Sequence, residues 1–159
     1  MLAERDTLTH VANRYRLENV LLQACERAER FRLALSVIAL DIDDFKPIND
    51  QHGHATGDQT LIRVVECLES CLHADDVLAR WGGDEFMVVL PKSNLARARA
   101  VAGRMREALR ALPAVGQFKL TVSQGIVERR NDESPSALIA RVDQALYRAK
   151  TAGKDQVCK

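Results

Sequence analysis

The run Leu33-Ala34-Leu35-Ser36-Val37-Ile38-Ala39-Leu40 places the strongest constraint on this chain. It is aliphatic throughout, broken only by Ser36, and far too short to cross a bilayer. A short, near-continuous apolar run reads as a strand buried on both faces. The fold must then cover a sheet on both sides, and the chain carries amphipathic helices suited to that. Leu17, Val20, Leu21, Ala24 and Ala28 recur at helical spacing over residues 14–30. Leu61, Val64, Val65, Leu68 and Leu72 do the same after a Gly53–Gly57 loop. Leu95, Val101, Met105 and Leu109 mark a helix over 94–111.

A shorter helix over about Asp44–Gln51 tolerates Pro47 near its first turn. Ser134 or Ser136 caps a last helix that runs to about Thr151 and ends at Gly153. Val77–Trp81 and Phe86–Leu90 flank Gly82-Gly83-Asp84-Glu85, the pattern of a β-hairpin, with Pro91 stopping its second strand. Lys119–Val127 is a further strand. The order predicts an α+β fold: a central, mostly antiparallel sheet with a ferredoxin-like β-α-β-β-α-β core and added helices. With 47% hydrophobic residues, and no linker or repeat, residues 1–159 read as a single domain.

Charge narrows the function. The 23 basic and 22 acidic residues leave a net +1, which excludes a polybasic nucleic-acid binder and a disordered acidic chain. Cys25, Cys67, Cys71 and Cys158 are too few and too irregular for a disulfide scaffold. Cys67 and Cys71 lie near His73 but lack a fourth ligand, so they read as buried thiols. No secretory signal follows Met1, and the expectation is a reduced, cytoplasmic domain that itself makes no membrane contact.

The chemistry lies in how the acids are placed. Asp41, Asp43 and Asp44 crowd the exit of the apolar strand, where a carboxylate costs desolvation energy unless paired. They could cap the next helix, or hold a hard divalent cation. The hairpin tip adds Asp84 and Glu85, and in a β-α-β-β sheet the first strand lies beside the hairpin. Asp41 and Asp84 can therefore converge on one metal, an arrangement suited to phosphoryl transfer. Between these acids, Asn49 and Asp58 offer the donors and acceptors that a guanine edge requires, and Lys46 offers charge for phosphate. The plainer reading of that stretch is a polar loop in which His52 and His54 are surface residues. Trp81 reads as hairpin packing, and Arg97, Arg99, Arg104 and Arg106 as a solvated helix face.

Asp41-Ile42-Asp43-Asp44-Phe45-Lys46-Pro47-Ile48-Asn49-Asp50-Gln51-His52-Gly53-His54-Ala55-Thr56-Gly57-Asp58, followed by Arg80-Trp81-Gly82-Gly83-Asp84-Glu85-Phe86, resembles the GGDEF family of diguanylate cyclases. Asp6-Thr7-Leu8-Thr9 with Asn13-Arg14, Thr121–Gly125 and Asp143–Lys150 resemble its flanking motifs, so the likeness runs from about Asp6 to Val157. The resemblance implies a nucleotide-cyclase-like fold and the condensation of two GTP into cyclic di-GMP, with two pyrophosphates released. It also implies a transient homodimer, because each half-site holds one nucleotide.

By residue, it implies that Asp41, Asp84 and the Ile42 carbonyl bind Mg2+, or Mn2+, with Glu85 joining or supporting the metal. Asp84 is the base for the 3′-hydroxyl, and Lys46 stabilises charge on the transferring phosphate. Asn49 and Asp58 read guanine with His54 near the substrate, Gly82 and Gly83 form the turn beneath the nucleotide, and Lys150 and Lys154 take the terminal phosphates. The domain is then expected to be the C-terminal part of a longer regulated protein, which could be tethered to a membrane.

Two departures from the family pattern matter. Family members often carry an Arg-x-x-Asp pair that binds product and inhibits. Here His73 stands in the arginine position and Asp76 keeps the acid, which predicts a weakened inhibitory site. Gly153-Lys154-Asp155 replaces the usual Gly-Arg-Asn. A second reading of the whole chain is a weak or inactive module that senses GTP or cyclic di-GMP. The intact hairpin favours the enzyme.

Overall fold

The structure is a computed structural model and describes residues 3–159. The apolar run forms β1 (Leu35–Ile42), the central strand of a five-stranded sheet. In chain order the other elements are α1 (Arg14–Phe31) before it, then α2 (Phe45–His52), α3 (His54–Glu69), β2 (Val77–Gly82), β3 (Glu85–Pro91), α4 (Leu95–Arg110), β4 (Val122–Glu128), α5 (Pro135–Thr151) and β5 (Val157–Cys158). The strand order is β2-β3-β1-β4-β5. β1 runs antiparallel to β3 and to β4, β2 and β3 form the hairpin, and only the β4–β5 pair is parallel. The expected ferredoxin-like core is therefore present.

Side chains alternate across the pleat, so β1 feeds two cores. Ile38 and Leu40, with Phe86 and Val88 of β3, pack against Ile48 of α2, Leu61 of α3 and Val101 of α4. Val37 and Ala39, with Met87 and Val89, pack against Leu17 and Leu21 of α1 and Leu138 and Val142 of α5. Each fully buried aliphatic side chain contributes about 1.5–3 kcal/mol of transfer free energy. That is why a strand exposing none of its apolar residues occupies the centre.

Local signals set the helix starts. Asn13 accepts from the Arg16 amide at 2.9 Å, Asn94 from the Arg97 amide at 2.9 Å, and Ser134, not Ser136, from the Ala137 amide at 3.2 Å. Other boundaries differ from the sequence expectation. The expected Gly53–Gly57 loop shrinks to Gly53 alone, whose φ of +85° breaks the chain between α2 and α3, and Gly57 lies inside the helix. α3 ends at Glu69 rather than Leu72, β4 begins at Val122 rather than Lys119, and Pro91 is the last residue of β3. β5 was not foreseen.

Register decides what meets at the end of β1. Asp41 sits opposite Glu85 of β3 and Ser123 of β4. The Ile42 amide donates to the Asp84 carbonyl at 3.3 Å. The free edge of β2 is covered by the segment before α1, where the Arg80 amide donates to the Ala12 carbonyl at 2.9 Å. Arg80 also ties that segment to the hairpin turn. Its guanidinium contacts both Asp6 carboxylate oxygens at 3.3 Å and donates to the Gly83 carbonyl at 2.8 Å.

Candidate active site

The acids predicted to converge do so. The hairpin turn hangs beside the end of β1, with Gly83 at φ +34° giving the backbone its reversal. Asp41 is half-buried and its Oδ1 is a buried atom without a hydrogen-bond partner. Its other oxygen contacts the Lys150 ammonium from α5. Burial pushes the Asp41 carboxyl up to about 7, the Lys150 hydrogen bond opposes that rise, and the adjacent Asp84 adds to it. Burial likewise raises Glu85, reinforced by the charges of Asp143 and Asp41. For Lys150, burial works against the charged form, but the Asp41 hydrogen bond and the charges of Asp41, Glu85 and Asp84 outweigh it, so its pKa lies above that of a free lysine.

This cluster is short of positive charge. Asp41, Asp84, Glu85 and Asp143 outnumber the two cations among them, Lys150 and Arg14, and one Asp41 oxygen is buried without a partner. A hard cation fits that donor set. Among the described residues no three histidine, cysteine or carboxylate side chains gather closely enough to hold an ion by themselves. A metal here would therefore draw on the Asp41 and Asp84 carboxylates, the Ile42 carbonyl, water and substrate oxygens. Glu85 stands across the ladder from Asp41 as a supporting charge.

Asp43 has a different task from its neighbours. Its buried carboxylate accepts from Thr121 Oγ1 at 2.7 Å, Ser123 Oγ at 2.6 Å and the Asp155 amide at 3.0 Å. It clamps β1, β4 and the segment after α5 together. Asp44 is the residue before α2, in a left-handed conformation, and its carboxylate pairs with Lys154 Nζ at 2.7 Å. Both lysines expected at phosphate thus rest on acids of this site: Lys150 on Asp41 and Lys154 on Asp44.

The predicted recognition residues lie on α2 and α3. Lys46 is exposed in the first turn of α2, and His54 and Asp58 are exposed at the start of α3. Asn49 is partly buried where the two helices meet, and its Oδ1 is buried without a partner. Gly57 makes that placement possible: a Cβ there would lie 1.6 Å from Asn49 Oδ1. Sequence reasoning took Gly57 for a loop residue and missed this contact. The only available signal was a buried-face position four residues before Leu61.

At the other end of the sheet lie His73 and Asp76, expected to form a weakened inhibitory pair, and the Asp76 carboxylate is already occupied. Arg97 of α4 reaches its two oxygens at 3.0 and 2.8 Å and His73 Nδ1 at 3.1 Å, and the His73 amide donates to Asp76 at 2.8 Å. The expected solvated face of α4 is only partly so: Arg99 and Arg104 are exposed, but Arg97 binds Asp76 and Arg106 binds Asp155. Two cavities of about 480 and 410 Å³ flank His73 and Asp76, away from the acids, which lie at the opposite end of the sheet. Trp81 packs as expected, beneath the Arg14 guanidinium at 4.1 Å from its ring centroid. No helix among the described residues is long and apolar enough to cross a membrane.

Comparison with known proteins follows this geometry. The family model described as "Diguanylate cyclase, GGDEF domain" matches residues 3–156. The chain is 36% identical to the diguanylate cyclase DgcM of Escherichia coli K12, over 98% of its own length and 38% of that protein's. It is 41% identical to DgcP of Pseudomonas aeruginosa, over 96% of its own length and 23% of that protein's. It thus spans well under half of these relatives. The crystal structure of the GGDEF domain of DgcB from Caulobacter crescentus in complex with c-di-GMP superposes with a TM-score of 0.93 at 31% identity, covering 99% of this chain and 95% of that one.

Proposed function

The chain belongs to the GGDEF diguanylate cyclase family, and from that premise we propose that it condenses two GTP into cyclic di-GMP, releasing two pyrophosphates across a transient homodimer. The observation that carries this reading is the pairing of Asp41 with Asp84 beside an unpartnered Asp41 oxygen, on an intact Gly82-Gly83-Asp84-Glu85 turn. Mg2+, or Mn2+, bound there would polarise the α-phosphate and lower the pKa of the attacking hydroxyl.

The chain's own groups do the rest. Asp84 accepts the proton of the 3′-hydroxyl, and Glu85 supports the charge balance of the acids. Asn49 and Asp58 hold the guanine edge, with His54 beside it, and Gly82 and Gly83 keep the turn free of side chains beneath the nucleotide. Lys150 and Lys154 exchange their acid partners for the terminal phosphates, and Lys46 meets the charge that grows on the transferring phosphate. One half-site on each subunit suits two nucleotides meeting face to face. Incubation of the protein with GTP and Mg2+, at concentrations that favour dimers, is expected to yield cyclic di-GMP; no product under those conditions would refute the reading.

Gly57→Ala is expected to keep the fold, since alanine suits a helix interior, and to raise the KM for GTP at least about tenfold by turning Asn49 out of place. Steady-state kinetics with a parallel melting curve checks this, and an unchanged KM would contradict it. Product inhibition is expected to be weak, because Arg97 and the His73 amide already occupy the Asp76 carboxylate. Calorimetric titration of cyclic di-GMP onto an Asp84→Ala variant should show no tight site that depends on His73 or Asp76.

A further inference from the structure

The segment after α5 is held in an unfavourable backbone conformation beside the acids. Gly153 has φ +119°, and the next two residues, neither of them glycine, are also left-handed: Lys154 at φ +61° and Asp155 at φ +48°. A left-handed L-residue costs roughly 1–2 kcal/mol, and two in a row persist only where surrounding contacts impose them. Those contacts come from both sides. From the sheet, Asp43 accepts the Asp155 amide at 3.0 Å. From α4, Arg106 Nε donates to both the Asp155 carbonyl and its Oδ1, each at 3.0 Å, and Arg110 stands 3.9 Å from the other oxygen. The Lys154 amide closes the turn on the Ala149 carbonyl at 3.0 Å.

We propose that Arg106 is a positioning residue for the triphosphate end of the nucleotide: by gripping Asp155 it holds the strained turn that delivers Lys154 to the acids. Lys154 Nζ reaches Asp44 at 2.7 Å, and its ammonium also feels the charges of Asp43 and Asp41. Lysine is a flexible point charge without the planar fork of arginine, so its placement depends on the backbone that carries it. Asp155 is what makes the grip ionic, because an asparagine there would offer Arg106 only a neutral oxygen. The arginine touches no reacting atom and acts through residues 153–155. This inference rests on the proposed use of GTP.

The test is binding rather than turnover. Affinities for a non-hydrolysable GTP analogue with Mg2+, and separately for GMP, are measured by calorimetry on the full chain and on Arg106→Gln, Arg106→Lys, Lys154→Ala and the Arg106→Gln/Lys154→Ala pair. Arg106→Gln is expected to weaken the analogue about tenfold, the scale of one charge-assisted contact, while GMP changes by less than about twofold. Arg106→Lys should recover part of the loss. The double variant should bind no worse than Lys154→Ala alone, as expected if one residue acts through the other. Equal losses for the analogue and GMP, or full additivity in the double variant, would overturn the positioning role. Failure of the unsubstituted chain to bind the analogue would overturn the GTP assignment itself and the inference with it. A lower melting temperature with unchanged triphosphate selectivity would mark Arg106 as structural only and would also overturn the proposal.

Discussion

Replacing Asp84 by alanine is expected to abolish cyclic di-GMP formation, a loss of at least about a thousandfold, while leaving the hairpin folded. The turn does not depend on this side chain. The Asp84 carbonyl that accepts from Ile42 is backbone, and the reversal is carried by Gly83 and the β2–β3 ladder. The carboxylate is the part that matters, because it lies against Asp41 and raises that group's proton affinity. With Asp84 gone, Asp41 retains Lys150 as its partner, and the proposed metal site would keep one carboxylate and a carbonyl, too few to hold Mg2+ tightly. Two measurements check the result: a chromatographic assay for cyclic di-GMP, and the rise in melting temperature produced by Mg2+ with a GTP analogue, which should disappear. Retained turnover would show that the chemistry does not run through this pair.

Gly125→Ala is expected to be the most damaging single-methyl change in the chain. Gly125 lies in β4, between Ala39 of β1 and Cys158 of β5, under α5. A Cβ there would lie 2.4 Å from the Leu146 amide nitrogen, 2.7 Å from the Val142 carbonyl oxygen and 2.8 Å from the Ala145 carbonyl carbon. All three are backbone atoms of a helix, so no side chain can rotate aside and α5 itself must lift. Overpacking of this kind costs about 3 kcal/mol, equivalent to a fall of about 10 °C in Tm for a domain of this size. The site should suffer with the fold, because α5 carries Lys150 onto Asp41 one turn beyond Leu146. Thermal melts give the first readout and the KM for GTP the second. A Tm within about 2 °C of the parent would contradict the packing argument.

Much of this was legible from residue order. Leu33–Leu40 announced a strand buried on both faces, because full burial leaves no polar alternation, and the strand itself lies two residues later, at Leu35–Ile42. The glycine pair between two strand-like runs marked the hairpin, and their adjacency in a β-α-β-β core brought Asp41 to Asp84 before any geometry was known. Asn13, Asn94 and Ser134 are caps whose side chains bond within three residues, and such local signals survive without tertiary context.

What escaped the sequence was set by contacts between distant residues. β5 has two residues, too few for any periodicity, and exists because the chain after Asp155 is drawn back along β4. Gly57 reads as a breaker, yet it is a helical position kept bare so that Asn49 can pack against it. Asp43 looks like one more metal-binding acid beside Asp41, and only the arrival of Thr121, Ser123 and Asp155 makes it a clamp. Arg97 and Arg106 look solvated on a helical wheel, but their partners Asp76 and Asp155 lie 21 and 49 residues away.

Residue order alone dictates the strand buried on both faces, the hairpin and the end of the sheet at which carboxylates gather, because burial pattern and turn chemistry are properties of neighbouring residues. Which acid keeps an unpartnered oxygen, which is clamped, and which lysine rests on which carboxylate follow from long-range contacts. Those outcomes depend on desolvation and on charges brought together across the fold, and a carboxylate's environment is not written in its neighbours along the chain.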